Sequence, residues 1–251
     1  MAEDYTQEEL RKVKQNKDEK IAFKNNLHNL VKYNTRINKP LTIGTTPNSL
    51  IICGASADLD LTISKKVVDK CLRPEIRDEN GKLADKTGHG LDEDKLFKAL
   101  EQIKNPILII KGNRPDSLVV VTDLQDSIER QVLVSILLNK RGSSAQIHEV
   151  TSAYGRSEFK DYIEEQVKKG NIIAMNNKKA EKLFQSIGKK YPEPKTIIGF
   201  NDSIAYSTRS VKYPENKINI KDMISKNRIK ANEMFTDINK IHSKNRGQGI
   251  D

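Results

Sequence analysis

The 251-residue chain has no tryptophan, two cysteines and four histidines, and aromatic residues make up only 5% of it. Each scarcity excludes something. Cys53 and Cys71 show neither a C-x-x-C spacing nor a histidine partner, so they read as reduced core thiols rather than a disulfide or a zinc site. No stretch approaches eighteen consecutive apolar residues, so no membrane-spanning helix is expected. Asp58, Asp60, Asp85, Asp92 and Asp94 lack the spacing of a calcium loop, and no His-x-x-x-His pair accompanies them. Glycine-rich dinucleotide and phosphate-loop fingerprints are absent, as is a Gly-x-Ser-x-Gly elbow. Neither a metal nor a cofactor is expected. Residues Met1–Tyr5 are acidic and polar, without the apolar run of a secretion signal. With 36% hydrophobic and 31% charged residues, the core is modest and much of the chain must be surface, tail or linker.

What the chain does have is positive charge, +10 in all. Residues 195–251 carry eleven Lys/Arg against six Asp/Glu, and residues 1–38 carry eight against six. That places +5 and +2 at the two ends and leaves +3 for the 156 residues between them. Such a balance fits attraction to nucleic acid, and it equally fits solubility in a lysine-rich proteome.

The periodicity divides the chain into an N-terminal helical segment (1–38), an α+β domain (39–192) and a basic arm with a C-terminal helix (193–251). Residues 7–32 form a polar helix capped by Thr6, with an incomplete apolar stripe of Leu10, Val13, Ile21, Leu27, Leu30 and Val31. Such a helix is stable only if its C-terminal half docks on something. Leu41–Ile43 reads as a strand, and Thr46-Pro47 opens a short helix through Ile52. Leu61–Ser64 leads a strand into a helix that Ser64 caps, with Val67, Val68 and Leu72 inward. Residues 73–88, with the turn Glu79-Asn80-Gly81, read as a loop or loose hairpin. Asp92 caps a helix over Glu93–Ile103.

The period then changes from 3.6 to 2. Pro106–Lys111, Ser117–Thr122, Gln131–Asn139 and Ala145–Ser152 predict an antiparallel meander, with turns near Gly112–Pro115, Asp126-Ser127 and Arg141–Ser144. Ser157 caps a helix to Lys169 that Gly170 stops, Asn171–Met175 is a fifth strand, and Lys178–Gly188 is another helix. Past Tyr191–Pro194 the chain turns polar, as an extended arm over 195–217. Helical period returns over 219–243, and the Gly247-Gln248-Gly249 end frays.

The candidate chemistry centres on Thr87-Gly88-His89-Gly90-Leu91 and Thr151-Ser152-Ala153-Tyr154-Gly155. Histidine suits either proton role because its ordinary pKa is about 6.5. A loop histidine between glycines also serves as a cap or a surface residue. Ser152 and Tyr154 stand two apart on a strand and so share a face, where two hydroxyls can hold a phosphate or orient the histidine. Thr151 belongs to the same cluster but points the other way. Lys111, Arg114 and Arg156 are candidate phosphate-binding cations, with arginine suited to bidentate contact. His148 has the strand parity of Ser152 and either faces the site or is satisfied within the sheet. His28 and His242 lie on the terminal helices without a supporting cluster.

Residues 41–190 resemble the C-terminal domain of phage MuF-type proteins, grouped with the barnase–EndoU–colicin–RelE nuclease-like domains. The resemblance rests on several short pieces in order. They are Leu41-Thr42-Ile43-Gly44 with Thr46-Pro47; His89-Gly90-Leu91, a helix and Asn105-Pro106; the paired strands Ser117–Thr122 and Gln131–Leu138; and Val150–Gly155, a helix and Gly170-Asn171-Ile172-Ile173. It implies an α+β fold, an antiparallel meander sheet packed with several helices, here with N- and C-terminal helical extensions. It further implies metal-independent ribonuclease activity, a catalytic His89 and a hydroxyl pair at Ser152 and Tyr154. RNA more than DNA would be the partner, with an immunity protein or a phage structural protein as a second one, and no membrane. The place of action would be the bacterial host cytoplasm or the virion. The glutamate–arginine–histidine set of the secreted bacterial ribonucleases has no readable counterpart. A competing expectation is a non-catalytic phage structural or nucleic-acid-binding accessory with the same fold. A third is a domain that binds a partner protein through its terminal helices.

Overall fold

Residues 108–156 run as four successive strands, each long enough in apolar residues to bury one face or both. The computed structural model describes residues 7–76, 79, 87–141, 146–189, 192 and 197–200. The strands are β1 Leu41–Thr45, β2 Asp60–Ile63, β3 Leu108–Lys111, β4 Ser117–Gln125, β5 Gln131–Arg141, β6 Gln146–Arg156, β7 Ile172–Asn176 and β8 Ile198–Phe200. The helices are α1 Gln7–Tyr33, α2 Asn48–Ile51, α3 Lys65–Leu72, α4 Glu93–Glu101, α5 Phe159–Lys168 and α6 Asn177–Ser186, with a 3₁₀ turn over Gln102–Lys104 after α4.

The expected meander is present. β3, β4, β5 and β6 are sequential antiparallel neighbours in one sheet of order β1-β2-β6-β5-β4-β3-β7-β8. The complete sheet is nevertheless mixed, because β2 pairs with β6, and β7 with β8, in parallel. Strand β8 carries the sheet past Tyr191–Pro194 into the stretch expected to be an extended arm. The remaining 201–217 of that arm, the helix expected over 219–243, the frayed end, and most of the turns at 79–81 and 141–144 lie outside the described residues.

Two apolar clusters lie on the two faces of this sheet. On one, Val132, Val134, Ile136, Val150 and Ala153 pack with residues of α1, α3 and α4. On the other, Leu108, Ile110, Val121 and Leu133 pack with Ile163 of α5 and with Ala180, Leu183 and Phe184 of α6. Helix α1 docks by its C-terminal half, where Phe23, Leu27 and Leu30 recur at i, i+4 and i+7 and are 1–3% exposed. Phe23, omitted from the sequence-derived stripe, completes it by stacking on Phe97 of α4 at 6.0 Å. The Glu19 carboxylate also accepts the Thr45 N–H at 3.2 Å, closing part of the β1 edge.

Caps follow the sequence in part. Asp92 accepts the Lys95 N–H and caps α4 as expected. Ser64 stands at the N-cap of α3 without a capping hydrogen bond. Ser157 does not cap α5. That position is Glu158, in the left-handed region at φ 51° with no side-chain cap.

Candidate active site

Strand β2 ends at Ile63, level with Val150, so β6 continues beyond it with an open edge. Helix α3 and the segment 88–91 fill that edge. The last carbonyls of a helix have no partner within it, and here the loop supplies them. His89 N–H donates to Lys70 O, Gly90 N–H to Arg73 O, and Leu91 N–H to Cys71 O, all at 2.9–3.1 Å. The approach is close enough that a Cβ on Gly88 would lie 1.9 Å from Arg73 O, so only glycine fits there. Cys71 completes the seal, its Sγ accepting the Ala153 N–H at 3.3 Å. Both cysteines are free thiols, as expected, and burial pushes Cys53 up to about 12 and Cys71 to about 11.

Held this way, the His89 ring meets the strand. Its Nε2 is hydrogen-bonded to Ser152 Oγ at 2.8 Å, and its ring lies 5.6 Å from that of Tyr154 at a tilt of 42°. The three residues named from the sequence therefore converge. Thr151 does not join them. It is the extra residue of a β-bulge, since Ser135 faces Ser152 while the next residue, Ile136, faces Val150. Its hydroxyl donates to Ser135 O at 3.2 Å.

The same bulge decides the fate of His148. One inserted residue reverses strand parity, so His148 falls on the core face with Val150 and Ala153, opposite Ser152 and Tyr154. It is fully buried, with Nδ1 accepting the Asn139 N–H and Nε2 bonded to Ser56 O. Of its two readings, the satisfied sheet histidine is the one realised.

A glutamate and an arginine that the sequence did not single out also act on the His89 ring, Glu75 raising its pKa and Arg130 lowering it. Arg130, in the turn between β4 and β5, binds Glu75 Oε2 through Nη2 at 2.7 Å and Asp126 Oδ2 through Nε at 2.6 Å. Asp126 is buried and also accepts the N–H groups of Ile128 and Arg130, which fixes the turn. Glu75 reads in sequence as one acid among many in a polar loop, and Arg130 as a turn residue. The one available signal is Gly155, an isolated glycine in a strand. A Cβ there would lie 1.9 Å from Asp126 Oδ2 and 2.9 Å from Arg130 Nε.

The His89 imidazole is held down at about pKa 4. Burial disfavours its charged form first, the Lys70 ammonium and Arg130 guanidinium add to this, and Glu75 opposes them. The ring is thus neutral at ordinary pH and can accept a proton. Arg130 has five N–H donors and spends only some of them on its two carboxylates, so it can also hold an anion.

Three candidate cations are not brought to His89. Lys111 is exposed at the end of β3, three strands from β6, or about 14 Å at ordinary strand spacing. Arg114 lies in the turn after it, exposed, its N–H donating to Ser117 Oγ. Arg156 is nearer, two residues beyond Tyr154, but its guanidinium turns onto the Tyr162 ring of α5 at 4.7 Å. Among the described residues no group of three or more His, Cys, Asp or Glu side chains could hold a metal ion. No described helix is long and apolar enough to cross a membrane.

Comparison with known families matches residues 81–182 to the phage MuF C-terminal domain, which supports the MuF part of the resemblance over that segment. The matched segment contains His89, Arg130, Ser152 and Tyr154 and leaves Glu75 outside. Neither the curated proteins nor the solved structures contain a match to the chain.

Proposed function

We propose that this domain, similar to the phage MuF C-terminal domain, is a metal-independent endoribonuclease with His89 as its proton-transfer group. The observation that carries this reading is the 2.8 Å contact between a neutral imidazole and Ser152 Oγ, beside an arginine held by two carboxylates. Cleavage of RNA without metal needs a base for the 2′-hydroxyl, an acid for the leaving oxygen and a cation for the phosphorane.

His89 supplies the first. The ring, neutral above about pH 4, takes the 2′-hydroxyl proton directly or through the Ser152 hydroxyl. As the O2′–P bond forms and the P–O5′ bond breaks, that proton is returned to the 5′ oxygen. The products are a 2′,3′-cyclic phosphate and a free 5′-hydroxyl. Arg130 offsets the charge that builds on the phosphorane, and its bond to Asp126 keeps it oriented without reorganisation. Ser152 and Tyr154 position the phosphate and the ring. Glu75 anchors Arg130 and favours the imidazolium formed in passing. The host cytoplasm or the virion would be the place of action, and a nuclease of this kind would call for an immunity protein.

The test compares cleavage of single-stranded RNA in EDTA by the natural chain and by His89→Ala. Loss of cleavage in the variant is expected, and equal rates would remove the assigned role. Salt-sensitive binding of DNA with no RNA cleaved would select the non-catalytic phage accessory instead, a reading that the +5 of residues 195–251 favours.

A further inference from the structure

A depression of about 290 Å³ opens where the β4–β5 turn, the end of β6 and the start of α5 meet α6. Arg130 lines it and packs against Gly155, where a Cβ would lie 2.9 Å from its Nε, beside Tyr154, so the depression adjoins the candidate site. Its second cation is Arg156. That guanidinium is half-buried and stacked on Tyr162, which fixes its orientation. Two carboxylates bind Arg130, whereas Arg156 has no ion pair among the described residues, and its buried Nε has no hydrogen-bond partner. Glu165 feels its charge without pairing with it; a half-buried charge with no carboxylate in contact is costly, and an anion in the depression would offset that cost.

The surrounding backbone and side chains suit the same ligand. Ser157, Glu158 and Phe159 line the depression at the start of α5. With Glu158 in the left-handed region and no side chain capping the helix, the first-turn N–H groups of α5 keep no side-chain acceptor. Phe159, Leu183 and Ile187 give an apolar wall on which a base or ribose can rest. The carboxylates of Glu129 and Glu158 belong to exposed residues on the rim, where water screens them. Arg156 stands two residues along the strand from Tyr154, about 7 Å, comparable with the reach of one nucleotide.

We propose that this depression is a second phosphate subsite, which holds the phosphodiester next to the scissile one in an RNA strand. The subsite rests on the endoribonuclease reading for its orientation, but its occupancy does not depend on chemistry. It assigns Arg156 to the neighbouring phosphate rather than to the reacting one.

The test measures binding of a 2′-O-methyl RNA tetranucleotide, which cannot be cleaved, by fluorescence anisotropy over a range of salt concentrations. Arg156→Gln should weaken binding about ten-fold and make the slope of log K against log salt shallower by roughly 0.7, the loss of one single-strand phosphate contact. Ser157→Asp, an exposed change that threatens the fold little, should weaken binding in the same direction. Lys111→Gln should leave it unchanged. Equal affinities for the natural chain, Arg156→Gln and Ser157→Asp would overturn the subsite. So would inorganic phosphate binding as tightly as the tetranucleotide, since the site would then be one for free phosphate. Arg156-dependent binding in a protein that cleaves no RNA would remove the nuclease reading and leave the subsite standing.

Discussion

His89 and Ser152 lie 63 residues apart in sequence, yet their Nε2 and Oγ atoms stand 2.8 Å apart. The contact exists because the carbonyls at the end of α3 and the N–H groups of residues 89–91 satisfy each other at the open edge of β6. His89→Ala should lower kcat/KM for RNA by roughly 10²–10⁴, the usual contribution of a positioned acid or base. Ser152→Ala should fall at the low end of that range, because it orients the ring or relays its proton. Single-turnover cleavage of a labelled oligonucleotide measures both.

The pH dependence follows from the His89 pKa of about 4, against 6.5 for a free imidazole. Since kcat/KM reports the free enzyme, its acid limb should fall near pH 4 rather than near 6.5. Stability should follow the same group. The unfolded chain takes up a proton below about pH 6.5 and the folded one only below about 4. Folding stability is therefore complete above 6.5, declines as pH falls between the two values, and levels off below. For a half-buried ring, after screening by solvent, the loss is on the order of 1 kcal/mol. Urea unfolding at pH 7 and pH 4.5 should show this loss in the natural chain and a smaller one in His89→Gln.

Gly155→Ala should be disproportionately harmful for so small a change. Its Cβ would come 1.9 Å from Asp126 Oδ2, whose buried carboxylate holds both the turn and Arg130. A cost of about 1–3 kcal/mol is expected from this overpacking. Gly170→Ala makes a useful control, since nothing lies within 4 Å and only the positive φ is strained. Its cost should stay near 1 kcal/mol. Urea midpoints distinguish the two.

Arg130→Lys keeps the charge and should still fail. A lysine cannot bridge Glu75 and Asp126 while offering a planar donor pair to phosphate. The expected loss is about 10²–10³ in kcat with little change in KM, as for removal of a group that acts on transition-state charge. A loss confined to KM would reduce Arg130 to a binding residue.

The N-terminal helix belongs to the core of the domain, and Leu27→Ala should reveal it. Leu27 is 1% exposed, so the truncation should cost about 2–5 kcal/mol in urea unfolding. A change below 0.5 kcal/mol would mean that α1 adds nothing to folding stability.

The sequence alone determined the local elements. The four strand-length segments read between Pro106 and Ser152, two of them apolar throughout and two partly alternating, specify a meander, Asp92 marks where α4 begins, and Ser152 and Tyr154 share a face because side chains alternate along a strand. Those regularities depend on residues a few positions apart, which any reader of the chain can see. Tertiary structure alone decided which distant groups meet. It joined Glu75 to Arg130 across 55 residues and made Gly155 the place where Arg130 and Asp126 could lie against the strand. It sent Lys111 to a strand too far away, and through one bulged residue turned His148 into the core. Long-range pairing depends on sheet order and on single-residue shifts in register, and neither leaves a periodic trace in the sequence.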